Sequence, residues 1–281
     1  MKNKPDGGGS ILAGRIKDLV ASSEYTVRTS QFLSPSEQKE AFDAARDTGG
    51  AQRCFFWGGA LDAERRAAVF LPDWMTPEDV TFGGAFDPAR EEALCELIAS
   101  GADGGEINSA ITSLEIDGSA YADLSHRDYL GALTSLGIER CAIGDISPDG
   151  PSRATVFALG AAASLILSEL STVGRESVRV SKTSLPCNYR ISREYEAISE
   201  TVASPRLDGI VKALCGISRE ASAEAVARGD VQINYTVVTK PDEYVEKGDV
   251  LTVRGYGKFI YDGDRGVNRR GRLRIDARKY K

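Results

Sequence analysis

Arginine and lysine gather in the last third of this 281-residue chain, at positions where they could hold anions. Arg206 and Arg219 stand at the starts of two amphipathic stretches. A guanidinium offers a fork of donors that matches phosphate oxygens, and the free N–H groups of a helix start favour an anion as well. Arg228 stands near the end of the second stretch, and Lys240, Arg254 and Lys258 follow it. In the terminal run NRRGRLRIDARKYK, Arg269 precedes Arg270, Arg272 and Arg274, which share a parity while Leu273 and Ile275 take the other. That is the pattern of an edge strand with one basic face. The rival reading is a solvated surface, because Arg206 lies two residues from Asp208 and Arg219 beside Glu220, spacings that suit weak exposed ion pairs. Catalytic chemistry finds little to work with. His126 is the only histidine, no nucleophile stands with a base, and five cysteines (Cys54, Cys95, Cys141, Cys187, Cys215) are odd in number without a close pair. No catalytic residue, metal site or cofactor is therefore expected. His126-Arg127-Asp128 has the letters of a kinase catalytic loop, but no Asn stands five residues beyond Asp128 and no nucleotide-binding Gly-rich loop accompanies it.

The elements that would position these side chains can be read from capping and periodicity. Ser204 suits a helix cap and Pro205 a first helical residue, with Leu207, Ile210, Val211 and Leu214 on one apolar face. Gly216 stops that helix, Ser218 caps the next, and Gly229 falls just past its end. Val231 and Ile233 alternate with polar residues up to Asn234, and a later strand pair enters through Gly248-Asp249. Upstream, residues 91–184 read as β-α-β-β-α-β, the split unit of a ferredoxin-like sandwich. LCELIAS or LEIDG would be its first strand, HRDYLGALTSLGI and AAASLILSELSTV its helices, and CAIGDI, RATVFAL and ESVRVSK its other strands. Ser125 and Asp128 have capping-box spacing, and GADGGEINSAITS reads as a loop insertion. RNA-recognition domains share this topology, but only Phe157 in RATVFALG could stack on a base. Earlier still, MKNKPDGGGS reads as a mobile leader, residues 11–22 and SPSEQKEAFDAARDTGG as helices, and QRCFFWGG with RRAAVFLPDW as a hairpin. Phe55, Phe56, Trp57, Phe70 and Trp74 of that hairpin could stack on bases, although such a cluster reads first as a core or a domain interface.

Charge is segregated along the chain. The net charge is −6, yet residues 181–281 hold nineteen Lys or Arg against fourteen Asp or Glu, leaving +5 there and −11 in residues 1–180. An electrostatic footprint confined to the C-terminal third follows. No apolar run approaches a membrane span, and ILAGRIKDLV is broken by Arg15, Lys17 and Asp18. With unpaired cysteines, these features lead to an expectation of a cytoplasmic protein.

Two resemblances sharpen this reading. Arg206-Leu207-Asp208, Ser218-Arg219, Gly229-Asp230-Val231, Asn234, Gly248-Asp249 and Arg254-Gly255 resemble the RNA-binding domain first known from small-subunit ribosomal protein S-four, the α-L motif. The resemblance implies a basic surface on structured RNA, with Arg206, Arg219, Arg228, Lys240, Arg254 and Lys258 at phosphates, Ser218 and Asn234 adding polar contacts, and Arg269, Arg270 and Arg272 extending the footprint. Ala221, Ser222 and Ala223 depart from it, standing where such domains often carry a further basic or amide residue. The run from His126 through Leu136-Gly137-Ile138-Glu139-Arg140 to Gly144-Asp145-Ile146, with Phe56-Trp57-Gly58-Gly59 and Phe70-Leu71-Pro72 upstream, resembles the YlmH family of bacterial RNA-binding proteins over nearly the whole chain. That likeness implies a non-enzymatic cytoplasmic protein that joins large ribosomal subunits, meets rRNA and tRNA, and handles stalled translation, with a possible cell-division partner. The expected fold class is α+β in three parts: a helical region plus hairpin (1–85), a ferredoxin-like domain (86–185), and an S-four-type domain with a basic tail (186–281). Two alternatives stay open, an RNA-modifying enzyme of the pseudouridine synthase or methyltransferase type delivered by the C-terminal domain, and a division-site protein adaptor. Chain order weighs against the first of these, since fewer than eighty residues follow Asp208.

Overall fold

In the computed structural model, which describes residues 10–76, 88–100, 107, 110–119, 123–186 and 188–280, local signals decide most helices. Helix α1 (Ile11–Ser22) starts at Ser10, whose hydroxyl accepts the Ala13 N–H at 3.1 Å. Strand β1 (Arg28–Leu33) follows, and helix α2 (Pro35–Asp47) opens with a capping box in which Glu37 accepts the Ser34 N–H at 2.7 Å. Strands β2 (Cys54–Trp57) and β3 (Arg66–Phe70) form the expected hairpin, and β1 adds to the free side of β3, giving the order β1-β3-β2. Phe55, Phe56, Trp57 and Phe70 are all buried while Trp74 is exposed, so the aromatic cluster is core. Helix α3 (Pro88–Ser100) contains LCELIAS, and the alternative LEIDG supplies strand β4 (Ile111–Gly118). Helix α4 (His126–Ser135), strands β5 (Ile143–Gly150) and β6 (Arg153–Leu159), helix α5 (Gly160–Glu169), a short β7 (Thr172–Val173) and β8 (Glu176–Lys182) complete this half. The sheet order β5-β6-β4-β8-β7, antiparallel throughout, is that of a ferredoxin-like sandwich with one added short strand. The leader up to Gly9, residues 101–106 and 108–109 of the insertion, and Cys187 lie outside the described residues.

The C-terminal elements are strand β9 (Tyr195–Val202), helices α6 (Leu207–Cys215) and α7 (Arg219–Ala227), and strands β10 (Val231–Ile233), β11 (Thr236–Val237), β12 (Val250–Val253), β13 (Gly257–Val267) and β14 (Leu273–Tyr280). They build one antiparallel sheet in the order β11-β10-β12-β13-β14-β9. Leu207, Ile210, Val211, Leu214 and Val226 from the helices pack on Leu251, Val253, Phe259, Ile275 and Ala277 from one face of it. Two expectations are corrected. Helix α6 begins at Leu207, not at Pro205, because the chain entering it runs extended beside residues 243–245: Leu207 N–H donates to Glu243 at 2.8 Å and Val245 N–H to Pro205 at 2.9 Å. Strand β14 is not an edge, because β9, which carries no strong local strand signal, pairs along its whole length from Val202 to Tyr195.

The described chain separates into two compact units, Met1–Ser192 and Arg193–Lys281, where the sequence suggests three parts. The first two parts merge because they share a core: Phe32, Trp57 and Val69 pack in one cluster with Ile111 and Phe157 of the ferredoxin-like sheet. Phe157 is fully buried, so the one aromatic expected to offer itself to a base lies inside. Gly59 makes that contact possible. It sits at φ +89°, and a Cβ there would come within 2.2 Å of the Phe157 ring. Gly144 is similarly close to Phe32, at 2.8 Å from an added Cβ. Asp145 strengthens the seam by accepting the Glu64 N–H at 2.6 Å and the Arg65 N–H at 3.3 Å, and Arg65 also donates to the Ile143 and Phe32 carbonyls. Gly59→Ala combines overpacking with a backbone conformation that L side chains rarely adopt, and should lower the unfolding free energy of the full chain by about 3 kcal/mol in urea titration.

Candidate nucleic-acid interface

Asp208 organises the two C-terminal helices. Lying on the first turn of α6 and only 4% exposed, it accepts Arg206 Nε at 3.2 Å on one carboxylate oxygen and Arg219 Nε at 3.1 Å on the other. Burial by itself would raise its pKa, but the hydrogen bonds and charges of Arg219 and Arg206 outweigh that and hold the carboxyl below its ordinary value. The Ser222 hydroxyl, fully buried, donates to the Asp208 carbonyl at 2.6 Å and locks α7 to α6. Ser222 is thus a clamp between helices. Ser218 caps α7 by accepting the Ala221 N–H at 3.1 Å, leaving Arg219 on the first turn with its side chain 66% exposed. Each arginine gives its Nε–H to Asp208, which fixes the stem of its guanidinium and leaves the Nη donors to other partners.

A second acid pairs two arginines at the other end of α7. Asp230 accepts Arg228 Nε at 3.0 Å and pairs with Arg254 Nη1 at 3.7 Å, while its carbonyl accepts the Arg254 N–H at 2.9 Å. Arg219 and Arg228, nine residues apart, are separated by roughly 13 Å along the helix axis. Asn234 forms the following hairpin turn with Tyr235, both at positive φ (47° and 65°), as a two-residue turn of this type requires. The Asn234 amide donates to Asp249 at 2.7 Å and accepts the Val250 N–H at 2.9 Å, so its described bonds serve the loop.

The remaining expected residues are scattered. Arg272 donates to the Thr201 carbonyl at 2.8 Å and lines, with Lys212, Asp208 and Arg219, a cleft of about 630 Å³ between α6 and the β9 edge. Arg269 and Arg270 are exposed at the β13–β14 turn, where Asn268 accepts the N–H groups of Arg270 and Arg272 at 2.9 and 3.0 Å. Lys240 is exposed between β11 and β12. Lys258 belongs to the sheet face turned away from the helices, since its neighbour Phe259 is the one that packs in the core. Its ammonium donates to the Tyr235 hydroxyl at 2.9 Å and lies over the Tyr235 and Tyr280 rings at 4.6 and 4.8 Å. The structure therefore brings together Arg206 with Arg219 and Arg272, and Arg228 with Arg254, but not Lys258 with either group.

In the first unit, Ser125 and Asp128 close the expected capping box of α4, with the Ser125 N–H donated at 2.8 Å. Burial and the charge of Arg140 lower the pKa of His126, against the opposing pull of Asp145. Burial and neighbouring Arg65 bring Arg140 down to about 10, and its guanidinium donates to the Gly144 carbonyl at 3.1 Å. This cluster fastens the seam between β3 and β5. Among the described residues, no group of His, Cys, Asp and Glu could hold a metal ion, and no helix is long and apolar enough to cross a membrane.

Residues 108–186 match a family model described as "Putative RNA-binding domain in YlmH". A relative from Bacillus subtilis (strain 168), "Ribosome-associated protein quality control protein P2", is 26% identical over 268 residues, covering 93% of this chain and 91% of its own. Both findings make the chain similar to YlmH-type proteins. Among solved structures, "Cell division protein ylmH from Streptococcus pneumoniae" is similar at 19% identity and a TM-score of 0.44, covering 66% of this chain and 96% of that one. The matched segment is the ferredoxin-like half, where the sequence suggests no site residue and where Phe157 is sealed from solvent. Asp208 and Asp230 were also missed as organisers: each pairs with one arginine nearby in sequence, which shows as a spacing, and with a second from another element, which does not.

The two Asp-held arginine pairs yield an expectation with an informative sign. Asp208→Asn removes a negative charge, so a purely charge-driven site would bind RNA more tightly. A site that depends on aimed guanidinium groups should instead weaken about tenfold, through the ordering cost of two freed side chains, when a labelled RNA hairpin is titrated by fluorescence anisotropy. The depressed Asp208 pKa also means that its contribution to folding is present above the ordinary carboxylate range and lost as pH falls through the lower folded value, an acid limb that Asp208→Asn should shrink in pH-dependent urea titrations.

Proposed function

We propose that this protein binds structured RNA on the large ribosomal subunit, rRNA or tRNA, and acts without catalysis in the rescue or quality control of stalled translation. The observation that carries the reading is the pair of Asp-anchored arginine sets at the two ends of α7, Arg206 with Arg219 and Arg228 with Arg254, brought together from the helices and the β12–β13 turn. Such forks suit phosphates spaced along an RNA backbone, and shape and charge supply the binding. The RNA-binding match over residues 108–186 and the ribosome-associated name of the Bacillus subtilis relative support the same reading. A cytoplasmic location goes with it.

The pseudouridine synthase alternative rests on the likeness of Arg206-Leu207-Asp208 to the catalytic Arg-Leu-Asp segment of those enzymes, and Asp208 is engaged here, with both its oxygens accepting arginine donors in a buried position. A division-protein partner has support only in the name of the Streptococcus pneumoniae structure and forms no part of the proposal.

The test combines location with salt dependence. Tagged protein from its host should co-migrate with large subunits in sucrose gradients, and Arg206→Ala with Arg219→Ala should release it. With four phosphate contacts in vitro, affinity should fall by about a hundredfold between roughly 50 and 200 mM salt, and Arg219→Ala alone should flatten the salt slope by about one unit. An unchanged slope would remove the α7 start from the interface.

A further inference from the structure

The C-terminal unit holds six tyrosines, and four of them are engaged within the unit. Tyr261 is 2% exposed. Tyr235 and Tyr280 hold the Lys258 ammonium over their rings, and Tyr195 packs edge-on against Tyr280 at 5.0 Å with the Arg278 guanidinium 5.0 Å from its centroid. Tyr244 and Tyr256 differ, being 61% and 43% exposed.

Their positions are not scattered. Tyr244 forms an antiparallel bridge with Arg206, pinned on both sides by the Leu207–Glu243 and Val245–Pro205 hydrogen bonds at 2.8 and 2.9 Å. Residues paired in this way project to the same side, with Cβ atoms about 5 Å apart. Tyr256 lies two residues beyond Arg254 in the β12–β13 turn, its N–H bonded to the Val253 carbonyl at 3.0 Å. One Asp-centred arginine pair therefore has an exposed ring on the residue bridged to Arg206, and the other has one two residues along the chain from Arg254. A large ring left in water next to a phosphate-binding fork has an evident use: the fork takes the backbone of a nucleotide and the ring takes its base. Bases inside a duplex are already stacked, so only unpaired nucleotides can use such rings.

We propose that Tyr244 and Tyr256 are base-stacking platforms, and that the RNA gripped by the two arginine pairs carries unpaired nucleotides, in a loop or bulge, beside its helical part. The inference rests on the RNA-binding reading above and adds the class of RNA to it. Stacking is tolerant of base identity, so this interface recognises exposed bases without selecting a sequence.

The experiment uses the full chain and two RNA probes with the same stem, one a blunt duplex and one closed by an unpaired loop, titrated by fluorescence anisotropy. Wild type should prefer the looped probe. Tyr244→Ala with Tyr256→Ala should lower affinity for it by about tenfold or more, at the stacking energies usual per base, while leaving the duplex affinity and the salt slope unchanged. Tyr244→Phe with Tyr256→Phe should retain wild-type binding, which separates stacking from loss of fold or of a hydroxyl. Equal wild-type affinity for both probes, or an alanine variant that loses equally on both or on neither, overturns the proposal. If Arg219→Ala weakens both probes while the tyrosine variants are silent, stacking falls and the RNA-binding reading stands; if wild type binds neither probe, both fall.

Discussion

A buried carboxylate on the first turn of α6 sets the geometry on which the C-terminal surface depends. Asp208 is the point at which the extended entry segment, helix α6 and helix α7 meet, because Arg206, Arg219 and Ser222 all bond to it. Removing a carboxylate from water is costly unless its oxygens find donors, and two guanidinium groups with the Gly209 N–H at 2.9 Å provide them. In return the arginines lose rotamer freedom before any ligand arrives. That ordering is the part of binding that flexible surface arginines must otherwise supply at the moment of contact. Asp230 repeats the device with Arg228 and Arg254.

The first unit solves a different problem. A ferredoxin-like sheet has one face for its helices and one left over, and in RNA-recognition domains the second face is available for stacking. In this chain part of that face is roofed by the three-stranded sheet, with Gly59 set against Phe157 and the Asp145–Arg65 seam beside it. Tyr189 adds to the cover, its ring centroid 6.3 Å from that of Phe157. On the proposed reading, RNA contact by residues 108–186 would use side chains other than Phe157. Arg127, Arg175 and Arg179 are exposed on α4 and on the β7–β8 hairpin.

What could be read in the sequence follows from how local each determinant is. The starts of α4 and α7 at Ser125 and Ser218 were legible, because a cap involves residues within three positions of each other, whereas at α2 Ser34 and Ser36 were equal candidates. Strands β1 and β9 were not, because RTSQFL and YEAISETV acquire their shape only by pairing with β3 and β14. LCELIAS shows the usual ambiguity of a short apolar run, which length alone resolves in favour of a helix. The α6 start shifted by two residues because a carbonyl from residue 243 satisfies the Leu207 N–H. At the site, the arginines could be picked out by type, but their grouping could not. Nothing in the spacing shows that Arg219 reaches back to Asp208, that Lys258 turns to the tyrosine face, or that Tyr244 lies beside Arg206.

Charge accounts for why such grouping matters. Residues 193–281 carry seventeen Lys or Arg and fourteen Asp or Glu, a net of only +3, which is a weak field for attracting RNA from a distance. Several of those acids are the anchors of arginines: Asp208, Asp230, and Asp262, which accepts Arg278 at 2.8 and 2.9 Å. An acid placed this way subtracts from the net charge while fixing where the positive donors stand. The unit gives up long-range attraction for short-range aim, which favours discrimination among RNA shapes over indiscriminate adherence to polyanions. On the proposed reading, with a ribosomal subunit crowded with phosphate as the target, long-range attraction adds little selectivity, and the arrangement of donors and open rings is what would distinguish one RNA feature from another.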